Sequence, residues 1–240
     1  MANTYFRFKH FTIDQAECAM KVCTDACVLG AAARLTTARR ILDIGTGTGL
    51  LALMAAQRNP AALIDAVEIE PQAAAQATAN VASSPWASRV QVRDGSLAEW
   101  ATTAPPAYDH ILCNPPFFRE SLRSPSAART TARHTAADTL TFAELAGFAA
   151  QFLTPAGQLS VLLPPPEMQH FERAAAQAGL FPQQRLVLSH RPGSKPLRHI
   201  THFNPQARPT EQELLAIHEA DSEAYSAGFR DLLRDFYLAF

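Results

Sequence analysis

Asn114-Pro115-Pro116-Phe117 follows an apolar run at residues 108–113, and few chemistries fit this tetrad. A carboxamide oxygen accepts hydrogen bonds, and a proline supplies a carbonyl but no N–H. The Asn114 side chain and the Pro115 carbonyl can therefore hold both N–H groups of one planar amino group. Pro115 and Pro116 restrict the backbone and make the turn stiff. Phe117 offers a ring face on which a planar target can stack. An amino nitrogen conjugated to a ring is a poor nucleophile because its lone pair is delocalised. Two acceptors let it pyramidalise as it attacks, and no strong base is needed because the proton leaves afterwards. The plain structural alternative is a Pro-Pro strand stop, the role expected of Pro164-Pro165-Pro166.

A second constellation lies upstream, Asp43-Ile44-Gly45-Thr46-Gly47-Thr48-Gly49. Gly45, Gly47 and Gly49 let the backbone turn sharply around Thr46 and approach a ligand with no side chain in the way. The helix expected next points its first N–H groups at the same place. The spacing is Gly-x-Gly-x-Gly, not the Gly-x-Gly-x-x-Gly of dinucleotide sites. Asp43, two residues ahead of it, would repel a pyrophosphate but suits a cationic amine. Glu68 stands at about the distance along the chain where a carboxylate meets ribose hydroxyls. Asp94 can accept from an adenine amino group, with Gly95 and Ser96 offering backbone contacts to the ring. Each feature has a plain alternative: a glycine turn, a strand-end charge with Glu70 as competitor, an Asp-Gly turn. Three acids at successive strand ends beside a glycine loop and an amino-presenting tetrad imply methyl transfer from S-adenosylmethionine (SAM) to a planar nitrogen.

The elements that must position these residues alternate. Strands are expected at 40–44, 63–69, 89–92, 108–113 and 157–163, and helices at 50–57, 72–82, 138–152 and 167–178. Pro71 suits a helix's first turn, and Thr141 with Glu144 forms a capping box. This is the pattern of an α/β protein with a parallel sheet covered on both faces, which places ligands at the strands' carboxyl ends. Residues 184–189 and 197–203 read as a hairpin. Residues 214–218 fit an edge strand or a helix start equally, and 222–236 reads as helix.

The chain has 240 residues and a formal net charge of −1, which argues against a dedicated, strongly basic nucleic-acid module. Its four cysteines include no Cys-x-x-Cys pair and no nearby histidine at ligand spacing, so buried reduced thiols are expected rather than a metal. No apolar run reaches membrane-spanning length and the start lacks a signal pattern, so a cytoplasmic protein is expected.

The motifs resemble Rossmann-like class I SAM-dependent methyltransferases of the amino-nitrogen branch. Within that branch, Phe8-Lys9-His10-Phe11, Cys18-Ala19-Met20-Lys21-Val22-Cys23-Thr24-Asp25 and Leu29-Gly30-Ala31 resemble the first block of the bacterial tRNA1(Val) (adenine(37)-N6)-methyltransferases. So do Asp65-Ala66-Val67-Glu68, Ser84-Pro85-Trp86-Ala87, Ser222-Glu223-Ala224-Tyr225 and Phe236-Tyr237-Leu238. The resemblance implies a mostly parallel sheet with helices on both faces and a C-terminal antiparallel hairpin. It implies a lead-in, 1–38, capping the SAM pocket of a methyltransferase domain, 39–240. Lys21, Thr24 and Asp25 would wall the methionine end of SAM. The substrate would be a valine tRNA, the product S-adenosylhomocysteine, with no obligate protein partner. The tetrad ends in Phe117 where relatives often carry tyrosine. Arg119, Arg123, Arg129 and Arg133 after the tetrad, and Lys195 and Arg198 in the hairpin beside Arg191 and His199, are candidates for RNA phosphates. Other readings are methylation of ribosomal RNA guanine N2 or protein glutamine N5, a noncatalytic RNA-binding protein that keeps SAM, and a nicotinamide-dependent enzyme.

Overall fold

A computed structural model of the chain describes residues 3–18, 20–115 and 140–240. The chain opens with a short antiparallel hairpin, β1 (Tyr5–Arg7) and β2 (Thr12–Asp14), and helix α1 (Thr24–Ala32). Strands of three residues are too short for an alternation to register in sequence. Alternating strands and helices follow: β3 (Arg40–Ile44), α2 (Leu50–Arg58), β4 (Leu63–Glu68), α3 (Pro71–Ala82), β5 (Val90–Asp94), α4 (Leu97–Thr102), β6 (Tyr108–Cys113), α5 (Phe142–Phe152) and β7 (Leu153–Leu163). The remaining elements are α6 (Pro165–Gln177), β8 (Phe181–Ser189), β9 (Pro196–Asn204), β10 (Glu211–Ala216) and α7 (Ala227–Leu233).

Strands β3 to β10 form one sheet in the order β10-β8-β9-β7-β6-β3-β4-β5. From β7 to β5 all neighbours are parallel; β9 runs antiparallel to both β7 and β8, and β10 is parallel to β8. Successive side chains of a strand face opposite sides. Ile41 accordingly joins one apolar cluster with α1, α2 and Phe229, while Leu42 and Ile44 join the other with α5, Phe171 and Phe203. Phe6 and Phe8 of the lead-in pack against Tyr237. Gly157 sits where β7 crosses close to β6; a Cβ there would lie 2.9 Å from the Tyr108 carbonyl oxygen.

The ambiguous segment 214–218 is mostly strand: β10 pairs with β8 along its whole length. The helix read at 222–236 shrinks to α7, capped by Ser226. The reason lies in the preceding segment. Arg191 in the β8–β9 loop donates from Nη1 to the carbonyls of Glu219, Ala220 and Ser222 and pairs through Nη2 with Glu223, holding that stretch as a loop. The prolines after β7 do more than stop the strand, because Pro165 begins α6 at its first turn. Helix α4 has a capping box between Ser96 and Glu99 but only six residues, too few to show a helical period.

A buried polar chain crosses the sheet. His110 Nε2 lies 2.7 Å from Ser160 Oγ, which lies 2.6 Å from His202 Nδ1. Burial lowers the His110 ring to about 3 and the His202 ring to about 4, so both are neutral in the folded protein.

Candidate active site

The register lines up the sequence-predicted residues along one rim. Ile44 pairs with Cys113 on one side and Val67 on the other, and Glu68 pairs with Asp94. Asn114, the glycine loop, Glu68 and Asp94 therefore follow the carboxyl ends of β6, β3, β4 and β5, four adjacent parallel strands. At about 4.8 Å per strand this row spans roughly 14 Å, enough for an extended nucleoside. A groove of about 630 Å³ opens at the opposite edge, between Arg34, Thr36, Asp109 and Gln158, away from this chemistry.

The glycine loop is held from both sides. The N–H groups of Gly45 and Thr46 donate to the Val67 carbonyl at 2.9 and 3.1 Å. Gly45 and Gly47 have φ of +68° and +55°, and no atom lies within 4 Å of where a Cβ would stand on either. The positive φ calls for glycine, and the emptiness leaves open space above the loop. Asp43 is wholly buried beneath it. Its Oδ2 accepts from Thr46 Oγ1 at 2.5 Å and from the Ala52 N–H at 3.1 Å, whereas Oδ1 is buried with no partner among the described residues. Burial, with a contribution from the charge of Glu68, pushes the Asp43 carboxyl up to about 7 against the pull of those two hydrogen bonds.

Glu68 is 8 % exposed and accepts the Gly47 N–H on Oε2 at 2.8 Å and the Glu70 N–H on Oε1 at 3.0 Å. Each carboxylate oxygen keeps further acceptor capacity. Its competitor Glu70 is occupied elsewhere, capping α3 through the Ala73 N–H. Asp94 is exposed at its strand end. The N–H groups of Gly95 and Ser96 are taken by the Glu68 carbonyl and the Glu99 side chain, so these residues offer a ring their surface and carbonyls.

Asn114 is half-buried, yet its side-chain oxygen Oδ1 is fully buried and has no hydrogen-bond partner among the described residues. A buried orphan acceptor costs about 1–3 kcal/mol, and such atoms call for an explanation. Pro115 follows, buried. Pro116 and Phe117 lie outside the described residues, as do Arg119, Arg123, Arg129 and Arg133.

The lead-in residues reach the same rim. Lys21 Nζ donates to the Gln15 carbonyl. Thr24 begins α1, hydrogen-bonds Tyr237 and follows Cys23, which holds the helix's N-cap position without a side-chain cap. Asp25 pairs with Arg198 at 2.9 Å, each about a quarter exposed or less. Because β9 runs opposite to β7, Leu163 pairs with His199, and the start of β9 lies at the rim. Lys195 is exposed there. The rim brings Asp25 and Arg198 together as a pair, although sequence reasoning assigned them to different ligands. Sequence reasoning missed Asn80, a polar residue falling on the otherwise apolar inward stripe of α3, a signal legible in the chain. Among the described residues no group of metal-ligating side chains is gathered, and no helix is long and apolar enough to cross a membrane.

The sequence matches the methyltransferase small domain over residues 24–165. A protein of Dyadobacter fermentans named tRNA1(Val) (adenine(37)-N6)-methyltransferase is 43% identical, with 99% of each chain covered. Proteins of the same name from Trichodesmium erythraeum and Yersinia pestis are 40% and 41% identical, covering 100% and 97% of this chain and 100% and 93% of their own. Among solved structures, one described as a predicted O-methyltransferase from Agrobacterium tumefaciens superposes with TM-score 0.65 at 21% identity, covering 88% of this chain and 96% of its own. The ribosomal protein L11 methylase of Lactobacillus delbrueckii does so with TM-score 0.57 at 16% identity, covering 81% and 84%. These structures share the Rossmann-like methyltransferase fold. The chain belongs to the methyltransferase small-domain family, and within it to the group whose curated members carry the name tRNA1(Val) (adenine(37)-N6)-methyltransferase.

Proposed function

We propose that the protein transfers a methyl group from SAM to N6 of adenine 37 in the anticodon loop of a valine tRNA, the reaction named for its relatives. The observation that supports the chemistry is the buried Oδ1 of Asn114 at the end of β6, an acceptor with no donor among the described residues.

The residues fit the cofactor. The space above Gly45 and Gly47 admits a ligand against bare backbone, and the orphaned Asp43 Oδ1 offers a negative pole for a cationic amine. Glu68 accepts from ribose hydroxyls, Asp94 from the adenine amino group, and Lys21, Thr24 and Asp25 wall the methionine end, with the lead-in closing over it. Gly45, Thr46, Gly47 and Gly49 line the floor, and Gly95 and Ser96 border the adenine. Bound there, the cofactor supplies an electrophilic methyl group on a sulfonium. Asn114 Oδ1 accepts one N6–H of the target adenine and the Pro115 carbonyl the other, so the nitrogen can pyramidalise toward that methyl. Pro116 and Phe117 lie outside the described residues; their roles here, a stiffened turn and a ring to stack on the adenine, are those the sequence assigns. The adenine must leave its stack to reach this pocket. Most of the acceleration comes from alignment, for which about 7–11 kcal/mol is attainable. Among the RNA candidates, Lys195 is exposed at the rim, whereas Arg198 faces Asp25. The setting for such a reaction is the cytoplasm.

The test is nucleoside mass spectrometry of tRNA from a strain lacking the gene, alongside in vitro methylation of tRNA, ribosomal RNA and release factor. Loss of N6-methyladenosine from the valine tRNA anticodon loop is expected. Unchanged N6-methyladenosine there, or label only on guanine or protein, overturns the proposal.

A further inference from the structure

Asn80 is 2 % exposed on the inward face of α3, among Ala73, Ala74, Ala77 and Val81. An amide in such a setting is costly unless its hydrogen bonds are made. Here they are. Oδ1 accepts from the Asp14 N–H at 2.9 Å, and Nδ2 donates to the Asp14 carbonyl at 2.8 Å and the Thr48 carbonyl at 2.9 Å. Asn80 thus grips both main-chain groups of the last residue of β2, as a neighbouring strand would, and reaches the glycine loop with its remaining hydrogen. Thr48 lies between Gly47 and Gly49. Helix α3 also leans on the loop one turn earlier, where a Cβ on Gly49 would come 3.5 Å from Ala77 Cβ.

The chain of amides continues. Gln15, 5 % exposed, accepts the Val22 N–H on Oε1 at 2.8 Å and donates from Nε2 to the Asn3 carbonyl at 3.0 Å. Its own carbonyl accepts from Lys21 Nζ. Glycine loop, α3, the end of β2 and the segment entering α1 are therefore joined through two buried side-chain amides.

We propose that Asn80 and Gln15 form a relay that positions the lead-in against the glycine loop, so that Lys21, Val22 and the start of α1 stand as a preformed wall of the cofactor pocket. Neither residue touches a reacting atom; both are positioning residues for SAM. The inference rests on the SAM reading of the glycine loop. The partners of Asn80 belong to two separate segments, the end of β2 and the glycine loop, rather than to one packed layer. Its loss should therefore loosen the pocket before it loosens the sheet.

The experiment compares Asn80→Ala, Asn80→Asp, Gln15→Met and Gln15→Glu with wild type, measuring kcat, KM for SAM, KM for tRNA, calorimetric SAM affinity and Tm. Asn80→Asp keeps the acceptor for Asp14 but loses both donors. Gln15→Glu keeps the acceptor for Val22, and Gln15→Met loses it. Both Asn80 variants and Gln15→Met, which each lose two or three hydrogen bonds, are expected to raise KM for SAM by at least about tenfold, the size of a single hydrogen bond, with kcat at saturating SAM and KM for tRNA nearly unchanged. Gln15→Glu, which keeps the acceptor for Val22 but loses the donor to the Asn3 carbonyl, should fall between wild type and Gln15→Met. Variants that lower Tm yet keep the wild-type KM for SAM would reduce the relay to ordinary packing and overturn it. So would a parallel loss of kcat and of both affinities. Should the Asn80 variants not fold, the Gln15 pair decides by whether Met and Glu part company. Wild-type protein that takes up no SAM in the calorimeter would overturn the cofactor reading itself, and the relay with it.

Discussion

Lowering the pH from 8 to 6 should weaken SAM binding about tenfold, and Asp43 is the cause. Its carboxyl is fully buried and sits at about 7 because burial outweighs the two hydrogen bonds on Oδ2. In the free protein the group is then about nine-tenths ionised at pH 8 and about one-tenth at pH 6. A cationic ligand beside Oδ1 favours the ionised form, so binding at pH 6 must expel a proton that is already gone at pH 8. The apparent Kd scales with the inverse of the ionised fraction, which gives the tenfold change. Calorimetric titration at pH 6, 7 and 8, in two buffers of different ionisation enthalpy, reads both the affinity and the proton count. Close to one proton should be released at pH 6 and about a tenth of one at pH 8. Asp43→Asn, neutral and of the same shape, should flatten the profile and bind more weakly at pH 8. The same carboxyl affects stability. Between its ordinary value of 3.8 and about 7, the folded chain keeps a proton that the unfolded chain has released. Stability therefore falls as pH rises through that window, and Asp43→Asn should be the more stable protein above pH 7. A wild-type Kd that moves less than about twofold from pH 6 to 8 without proton release, or a variant with the wild-type profile, refutes this account.

Asn114→Ala should lower kcat by on the order of a hundredfold while leaving calorimetric SAM affinity unchanged, because it removes an acceptor used only by the reacting amine. Lys195→Ala should weaken tRNA binding in filter or fluorescence titrations and lower the salt-dependence slope by about one. Arg191→Ala should instead expose residues 219–223 to limited proteolysis, since its guanidinium is spent on that loop. His110 and His202 are held neutral below their ordinary 6.5. As pH falls from 6.5 toward 4 the unfolded chain gains protons that the folded chain refuses, and denaturant titrations should show stability dropping across that window, by about 1.4 kcal/mol per pH unit for each histidine.

How much of this was legible in the sequence depended on the range of the interaction. Strands β3 and β6 read clearly because they are buried on both faces, and a run of apolar residues is the local mark of that burial. The glycine loop read clearly because the requirement it meets is local, a positive φ at Gly45 and Gly47. Thr141 and Glu144 announced the start of α5, and Ser96 and Glu99 made the same signal for α4 over too short a stretch to be heeded. Strand β10 begins Glu211-Gln212-Glu213, with no alternation to detect. Its conformation is imposed by pairing with β8. The Asp25–Arg198 pair had no local mark at all. Each side chain alone reads as a ligand contact, and only the fold makes each the other's partner.

That pair also shows why the antiparallel end of the sheet matters to the site. Had β9 run parallel to β7, its first residues would lie at the far edge with the ends of loops, remote from Asn114. Reversal brings His199 beside Leu163 and hangs the β8–β9 loop at the rim that carries Asn114, while β10, parallel to β8, returns residues 217–226 to the same side. With α6 as the crossover that joins β7 to the parallel β8, the rim thereby extends three strand widths beyond β7, about 14 Å. Along that extension Arg191 is matched by Glu223 and Arg198 by Asp25, so these cations serve to fix loop and lead-in in place. The reversal thus lets one edge carry both the parallel strands to which the cofactor is assigned under the proposed function and the braced loops that set the shape of the opening beside them.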